Sequence, residues 1–264
     1  MEFKDILNIE NEEDRVNAIY NIFNEDERFS SKASSVEFLT NIRQIDKYLK
    51  PDMKILDLGA GTGVYSLYFA SKGYDVTAIE LVNKHVEYIK SKKTNNMNLK
   101  VMQGNALCLY GVPDDYFDLV LCFGPLYHLR EINDRIKCIN EVKKACNNDG
   151  IMFFAFINND MVIATETMCY NTDLKGDHYD HKTHKVVDFP FVFSTAEQAR
   201  NLLSHCGLQI IGEIASDGLS ELLADKINAF DDESYNLWLN YHFYSCEKPE
   251  FFGASNHILF ITKK

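Results

Sequence analysis

Ile55-Leu-Asp-Leu-Gly-Ala-Gly-Thr-Gly-Val64 is the stretch on which the reading of this 264-residue chain turns. A short apolar run at 53–58 ends in glycines at 59, 61 and 63, and a helical pattern at 64–71 follows, closed by Gly73. Glycine lets a backbone take up a tight turn and approach a ligand where a Cβ would clash. A helix that starts just after such a turn offers N–H groups with no intrahelical partner. At the carboxyl edge of a parallel sheet, this combination is where a nucleotide-like ligand binds.

The pattern on either side supports a parallel sheet. Strands are expected at 53–58, 74–80, 99–103, 117–123, 150–157, 208–214 and 257–262. Helices are expected between them: one through Val82, Val86 and Ile89, one through Ile132, Ile136, Ile139 and Val142 ending near Asn148, and one at 195–206 with Thr195 as its N-cap. Residues 217–225 and 231–246 also read as helical. Strands that are apolar on both faces and separated by helices belong to a sheet covered on both sides. Phe38, Ile42, Ile45 and Leu49 fall on one face of an N-terminal helix stopped by Pro51, and residues 24–35 read as a polar loop. The expected organisation is an N-terminal helical cap at 1–50 and a core at 51–264, with 158–194 as an insertion or lid.

Glu80 ends the second strand, 21 residues after Gly59, where a carboxylate can accept both hydroxyls of an adenosine ribose. The ribose is common to NAD and S-adenosylmethionine, so Glu80 does not separate them. The glycine spacing does. A dinucleotide loop wants G-x-G-x-x-G, whereas Val64 holds the sixth position here and the third glycine comes one residue early.

The G-x-G-x-G spacing with Asp57 two residues before it resembles the first motif of the class I S-adenosylmethionine-dependent methyltransferases. Gln103-Gly-Asn-Ala-Leu107 resembles the family's stretch after the third strand, with Asn105 in place of the more usual Asp. Phe117-Asp-Leu-Val-Leu-Cys-Phe-Gly-Pro-Leu-Tyr-His-Leu129 resembles its fourth-strand motif, and Asn148-Asp-Gly-Ile-Met-Phe154 its turn into the fifth strand. The resemblance covers residues 50–160, and the whole looks like a bacterial small-molecule subgroup. It implies a Rossmann-like α/β fold: a seven-stranded, mostly parallel sheet with helices on both faces and the last strand antiparallel. It implies S-adenosyl-L-methionine as cofactor, with Asp57, Gly59, Ala60, Gly61 and Gly63 around the methionine end, Glu80 on the ribose, Leu81, Asn105 and Ala106 at the adenine, and Phe123, Tyr127 and His128 facing the transfer site.

Methyl transfer from a sulfonium needs the acceptor held in line with the methyl carbon. A base is needed only if the nucleophile arrives protonated. His128 is the candidate base, because imidazole takes up a proton near neutral pH, and Tyr127 is the candidate phenolic donor or aromatic wall. His178, His181 and His184 form a run that matches no zinc signature, so no metal is expected. Tyr235, Trp238, Tyr241, His242 and Tyr244 share a late helix and are expected mainly in its core. The N-terminal helices, among them the one at 34–49, the insertion and the late helix are all expected to roof the pocket.

Composition bounds the partners. Twenty-seven basic and 39 acidic residues leave a net charge of −12, which argues against nucleic acid. The seven cysteines, at 108, 122, 138, 146, 169, 206 and 246, include no C-x-x-C pair, so a reducing, cytoplasmic setting is expected. The acidic N-terminus has no signal-peptide h-region, and no apolar window suits a membrane helix. The expected function is methyl transfer from S-adenosylmethionine to O, N or S of a small molecule. The alternatives are a non-catalytic S-adenosylmethionine-binding sensor and an NAD-dependent dehydrogenase. RNA or protein methylation is disfavoured by charge and by the absence of a Pro-Pro-Tyr-type amide-methylating motif.

Overall fold

The computed structural model describes Ile6 and residues 8–23, 25–170 and 174–264. The side chains of Asp26, Cys169 and Tyr170 lie outside that description, as do residues 1–5, 7 and 24 of the expected cap and 171–173 of the expected insertion. Two helices come first, α1 (Glu12–Ile22) and α2 (Lys32–Asp46). The core then alternates: β1 (Lys54–Leu58), α3 (Val64–Ser71), β2 (Asp75–Glu80), α4 (Asn83–Lys92), β3 (Leu99–Gln103), β4 (Phe117–Cys122), α5 (Ile132–Ala145) and β5 (Cys146–Asn158). After β5 come α6 (Asn159–Ala164), a π-helical run (Thr165–Tyr170), β6 (Phe193–Ser194), α7 (Ala196–His205) and β7 (Gln209–Ala215). The chain ends with α8 (Ala224–Asn228), α9 (Asp232–Ser245), α10 (Pro249–Phe252) and β8 (His257–Lys263).

The sheet order is β3-β2-β1-β4-β5-β8-β7, with β6 paired to the end of β5. All pairings are parallel except those of β8, which runs antiparallel to both β5 and β7. Seven strands form the path, in agreement with the sequence; the two-residue β6 is an addition too short to leave a periodic signal. Residues 217–225 do not form the expected helix; helix there is confined to α8, after a run of turns.

Alternate residues of the buried strands supply two cores. Leu56, Val120, Met152, Phe154 and Phe260 pack beneath α5 and α7. Ile55, Val76, Leu121, Phe153 and Leu259 pack on the other face beneath α2 and α3. Each fully buried Ile, Leu or Phe contributes about 1.5–3 kcal/mol. The helices are also held at their starts. Thr195 and Gln198 form a reciprocal capping box on α7, as Thr195 led one to expect, and Asp231 accepts from Ser234 N at the start of α9.

The strand order reverses between β1 and β4, so the loops after them part at the carboxyl edge and leave a crevice. Among the described residues no helix is long and apolar enough to cross a membrane.

Candidate active site

A pocket open to solvent occupies that crevice. Its floor is the loops after β1, β2, β3 and β4, and its roof is Glu12, Glu13, Val16, Tyr20, Glu25, Arg28 and Phe29.

The glycine loop is tied down from behind. The Gly59 and Ala60 N–H groups donate to Ile79 O at 2.8 and 3.1 Å, and Gly61 N donates to Glu80 Oε2 at 2.8 Å. The other Glu80 oxygen accepts from Val82 N at 2.8 Å. Glu80 therefore organises the loop itself, and each oxygen keeps acceptor capacity for a further donor. The three glycines do three different things. A Cβ on Gly59 would stand 2.7 Å from the Pro125 ring, so this glycine lets the β1 and β4 loops meet. A Cβ on Gly63 would stand 2.7 Å from Ile89, so this one lets α3 and α4 pack; Gly63 does not line the pocket. Only Gly61, at φ +55°, turns its open side to the cavity, where the nearest group is the Glu25 side chain at 3.7 Å. All three were expected to face a ligand; for Gly63 the structure shows a packing demand instead of a place on the pocket wall.

Asp57 is buried at the end of β1 and accepts from Ser66 Oγ at 2.5 Å. Burial pushes its carboxyl up to about 6; the Ser66 bond works against this and the charge of Glu80 adds to it. After β3, Asn105 Oδ1 accepts from Leu107 N at 2.8 Å, which turns the amide oxygen back onto its own loop and leaves the NH2 as the free edge. Phe123 packs edge-on against Tyr65 with centroids 4.8 Å apart. Asp57, Gly59, Ala60, Gly61, Glu80, Leu81, Asn105, Ala106, Phe123, Tyr127 and His128, all expected from the sequence, line this one cavity.

The structure changes the chemistry of His128. Its ring is buried, and Nε2 lies 2.9 Å from the Tyr20 hydroxyl while Nδ1 has no partner. Burial, reinforced by the charges of Arg15 and Arg28, lowers its pKa to about 3. The imidazole is therefore neutral near pH 7 and disfavours the protonated form a base must pass through. In this setting His128 anchors the roof, and its lowered pKa weighs against the role of a base poised at neutral pH. Its carbonyl accepts from Arg15 Nη2 at 2.7 Å, and Arg15 is itself paired with Glu12. Burial also pushes the Tyr127 phenol up to about 12, so it stays protonated; the nearby Arg28 acts against that.

The roof comes from the N-terminal cap, but none of its individual residues was singled out in the sequence. Tyr20 and Val16 on α1, with Glu25, Arg28 and Phe29 after it, line the pocket, whereas no residue of α2 does. Instead α2 stands behind, holding Arg28: Arg28 Nη2 donates to both Glu37 oxygens, at 3.0 and 3.1 Å. Glu37 lies 3.6 Å from His257 Nδ1, which bonds Asp217 Oδ2 at 2.8 Å. Burial alone would lower the His257 pKa, but Glu37 and Asp217 outweigh it and hold the ring at about 9. These three are the group among the described residues whose ligand-type atoms cluster, all within 4.8 Å, whereas His178, His181 and His184 are not drawn together. A protonated His257 between two carboxylates, with Arg28 on Glu37, closes the charges as an ion network.

Among the described residues, none of the insertion or of the late helix lines the pocket. Phe191 packs behind the wall, against Tyr127, His128 and Phe23 at centroid distances of 5.7, 5.3 and 5.9 Å. The late helix, α9, docks on α2 through Tyr235 and Ser35, 2.7 Å apart, and leaves Tyr241 and Tyr244 exposed rather than in the core.

Comparison with known proteins bears on the fold and the class of reaction. Residues 56–154 match the model of a family described as a methyltransferase domain. A Bacillus subtilis protein bearing the name of a methyltransferase, YqeM, is 23% identical over 63% of this chain and 77% of its own. The ribosomal protein L11 methyltransferase of Clostridium perfringens is 33% identical over 42% of this chain, but the match covers only 33% of that protein. The crystal structure of an S-adenosylmethionine-dependent methyltransferase from Methanosarcina mazei superposes with a TM-score of 0.55, covering 84% of this chain and 96% of its own at 18% identity, a likeness of fold.

Proposed function

We propose that the chain is a class I S-adenosylmethionine-dependent methyltransferase, as its match to a methyltransferase domain over residues 56–154 supports, and that its acceptor is a small molecule that binds within the roofed pocket. The observation that carries this is the roof. Glu12, Glu13, Val16, Tyr20, Glu25, Arg28 and Phe29 reach over the loops, and this segment is bonded to the β4 loop through Arg15 and Tyr20, so cofactor and acceptor would share one covered cleft. A folded protein or an RNA helix does not fit under such a cover, and the net charge of −12 opposes a polyanion.

The cofactor supplies a methyl group already activated by a sulfonium charge. In this proposal the chain's own residues do the rest. Glu80, fixed by Gly61 N and Val82 N, accepts from the ribose hydroxyls. Asn105 offers its NH2 to the adenine edge, and Leu81, Ala106 and Leu107 flank the base. Gly59, Ala60 and Gly61 leave room for the methionine end beside Asp57, while Gly63 shapes the turn. Phe123, Tyr127 and His128 form a rigid wall that excludes water and holds the acceptor, contributing orientation rather than proton transfer. An acceptor that arrives unprotonated needs no base from the wall. The cysteine usage and the acidic surface are consistent with a cytoplasmic enzyme.

Transfer of labelled methyl from S-adenosylmethionine tests the reading, with a metabolite pool, ribosomal RNA and ribosomal protein as parallel acceptors. Label in the low-molecular-weight fraction alone is expected. Label in RNA or protein would overturn the small-molecule assignment, and binding without any transfer would point to a sensor.

A further inference from the structure

We propose that the chain carries a second ligand site, for a small organic carboxylate with an apolar body, in the groove between α5, α7 and residues 185–193. Ile132, Arg135 and Ile136 of α5 line it together with Val192 and Phe193 of the insertion and Leu202 of α7. The groove shares no lining residue with the cleft over the glycine loop. The site therefore stands or falls independently of the methyl-transfer reading.

The groove holds a cation without a counter-ion. Arg135 is half-buried, and its Nε is buried with no hydrogen-bond partner among the described residues. Arg130, just before α5, repeats the pattern with a buried Nη2 that has no partner. The charge of Asp188 acts on both guanidinium groups. That carboxylate is already engaged, since its Oδ1 accepts from Lys185 Nζ at 2.5 Å and from Phe193 N at 3.0 Å. Glu12, which also acts on Arg130, is paired with Arg15, and Glu131, which also acts on Arg135, is exposed. Burial lowers the pKa of both arginines, and these carboxylates do not make up for it. In a chain of net charge −12, three cations thus converge on one occupied carboxylate. A charged donor buried without a partner is costly, and a bound anion offsets that cost.

The chemistry of the lining selects the anion. A guanidinium matches a carboxylate through two parallel N–H···O bonds. Beside Arg135 the groove is apolar, and Ile132 leaves 47% of its surface exposed there, which suits a hydrocarbon body and not an inorganic ion. The insertion side is held in place beforehand, because Lys185 Nζ also donates to Phe193 O at 2.7 Å. The neighbouring residue, Val192, lines the groove while its N–H donates to Tyr127 O at 2.7 Å. An occupant that touches Val192 is one hydrogen bond away from the wall of the cleft.

The experiment is calorimetric titration of the full chain with three probes on one skeleton: 3-phenylpropionate, 3-phenylpropan-1-ol and 3-phenylpropylamine. The acid should bind at least about tenfold more tightly than the alcohol, and the amine no more tightly than the alcohol. In Arg135→Gln the acid should fall to the level of the alcohol, with the unfolding midpoint kept, because no carboxylate within the chain loses an ion pair. Ile132→Glu is a second variant at an exposed position three residues from Arg135 on the same helix face. It supplies the guanidinium with an internal carboxylate and should remove acid binding in the same way. An acid no tighter than the alcohol would overturn the proposal. So would acid binding that survives at full strength in either variant, which would place the probe elsewhere on the chain.

Discussion

Replacing Glu80 by Gln probes the point at which fold and function meet. The side chain is buried, and each carboxylate oxygen accepts one backbone N–H at 2.8 Å, from Gly61 and from Val82. A glutamine keeps one acceptor and presents an NH2 to the other N–H, so one bond is lost and two donors face each other. Hydrogen bonds to a charged group are worth about 1.5–3 kcal/mol each, and the variant should lose about 2–3 kcal/mol of stability without ligand. The glycine loop then loses the tether that sets Gly61, and the ribose loses an acceptor. S-adenosylhomocysteine affinity should fall by a further 1–3 kcal/mol, roughly 5- to 150-fold. Urea unfolding with and without S-adenosylhomocysteine measures both, because a ligand that binds only the folded state adds RT ln(1 + [L]/Kd). A variant with the wild-type midpoint would refute the tethering role. A variant that is destabilised but binds within twofold of wild type would show that Glu80 builds the loop without touching the ribose.

Three further outcomes follow from the site. Holding the His257 proton at about 9 instead of the ordinary 6.5 is worth about 3 kcal/mol; that stability is fully present below pH 6.5 and lost as pH rises through 9. The stability difference between wild type and His257→Gln should therefore shrink by about that amount between pH 6 and pH 10, and a flat difference would contradict the ion network. Gly63→Ala puts a methyl 2.7 Å from Ile89 at a backbone φ of +80°, and denaturant unfolding should show a loss of about 2–4 kcal/mol, partly recovered by Ile89→Ala; a loss unaffected by the second change would mean that strain alone is responsible. The pH profile of kcat/KM should show no inflection near 6.5 from His128, because its pKa is lowered to about 3; an inflection there that disappears in His128→Gln would restore it as a base.

The β1 to β5 unit was legible because its signals are local. An apolar run, a glycine turn and a helical stripe each declare themselves within ten residues, and α3 and β3 fall where the pattern puts them. The floor of the pocket was legible for the same reason, being the loops that end those strands. That an N-terminal cap covers the pocket was legible, but which of its residues reach in was not: Tyr20 on α1 and Glu25 and Arg28 after it are placed by the path of the chain, and no spacing in the sequence encodes that path. Arg15 carried a faint signal, as a charged residue among Val16, Ala18 and Ile19 on the buried face of α1. Glu37, Asp217 and His257 are brought together only by folding, since they come from α2, the turn after β7 and the start of β8. His128 lines the pocket as its place after β4 led one to expect, but its pKa depends on two arginines a hundred or more residues upstream.

Parallel calorimetric titration of the purified protein with S-adenosylmethionine, S-adenosylhomocysteine and NADH tests the central claim most directly. Micromolar, one-to-one binding of the first two with no heat from NADH is the predicted result. Binding of NADH in their place would contradict the account and return the glycine loop to dinucleotide chemistry.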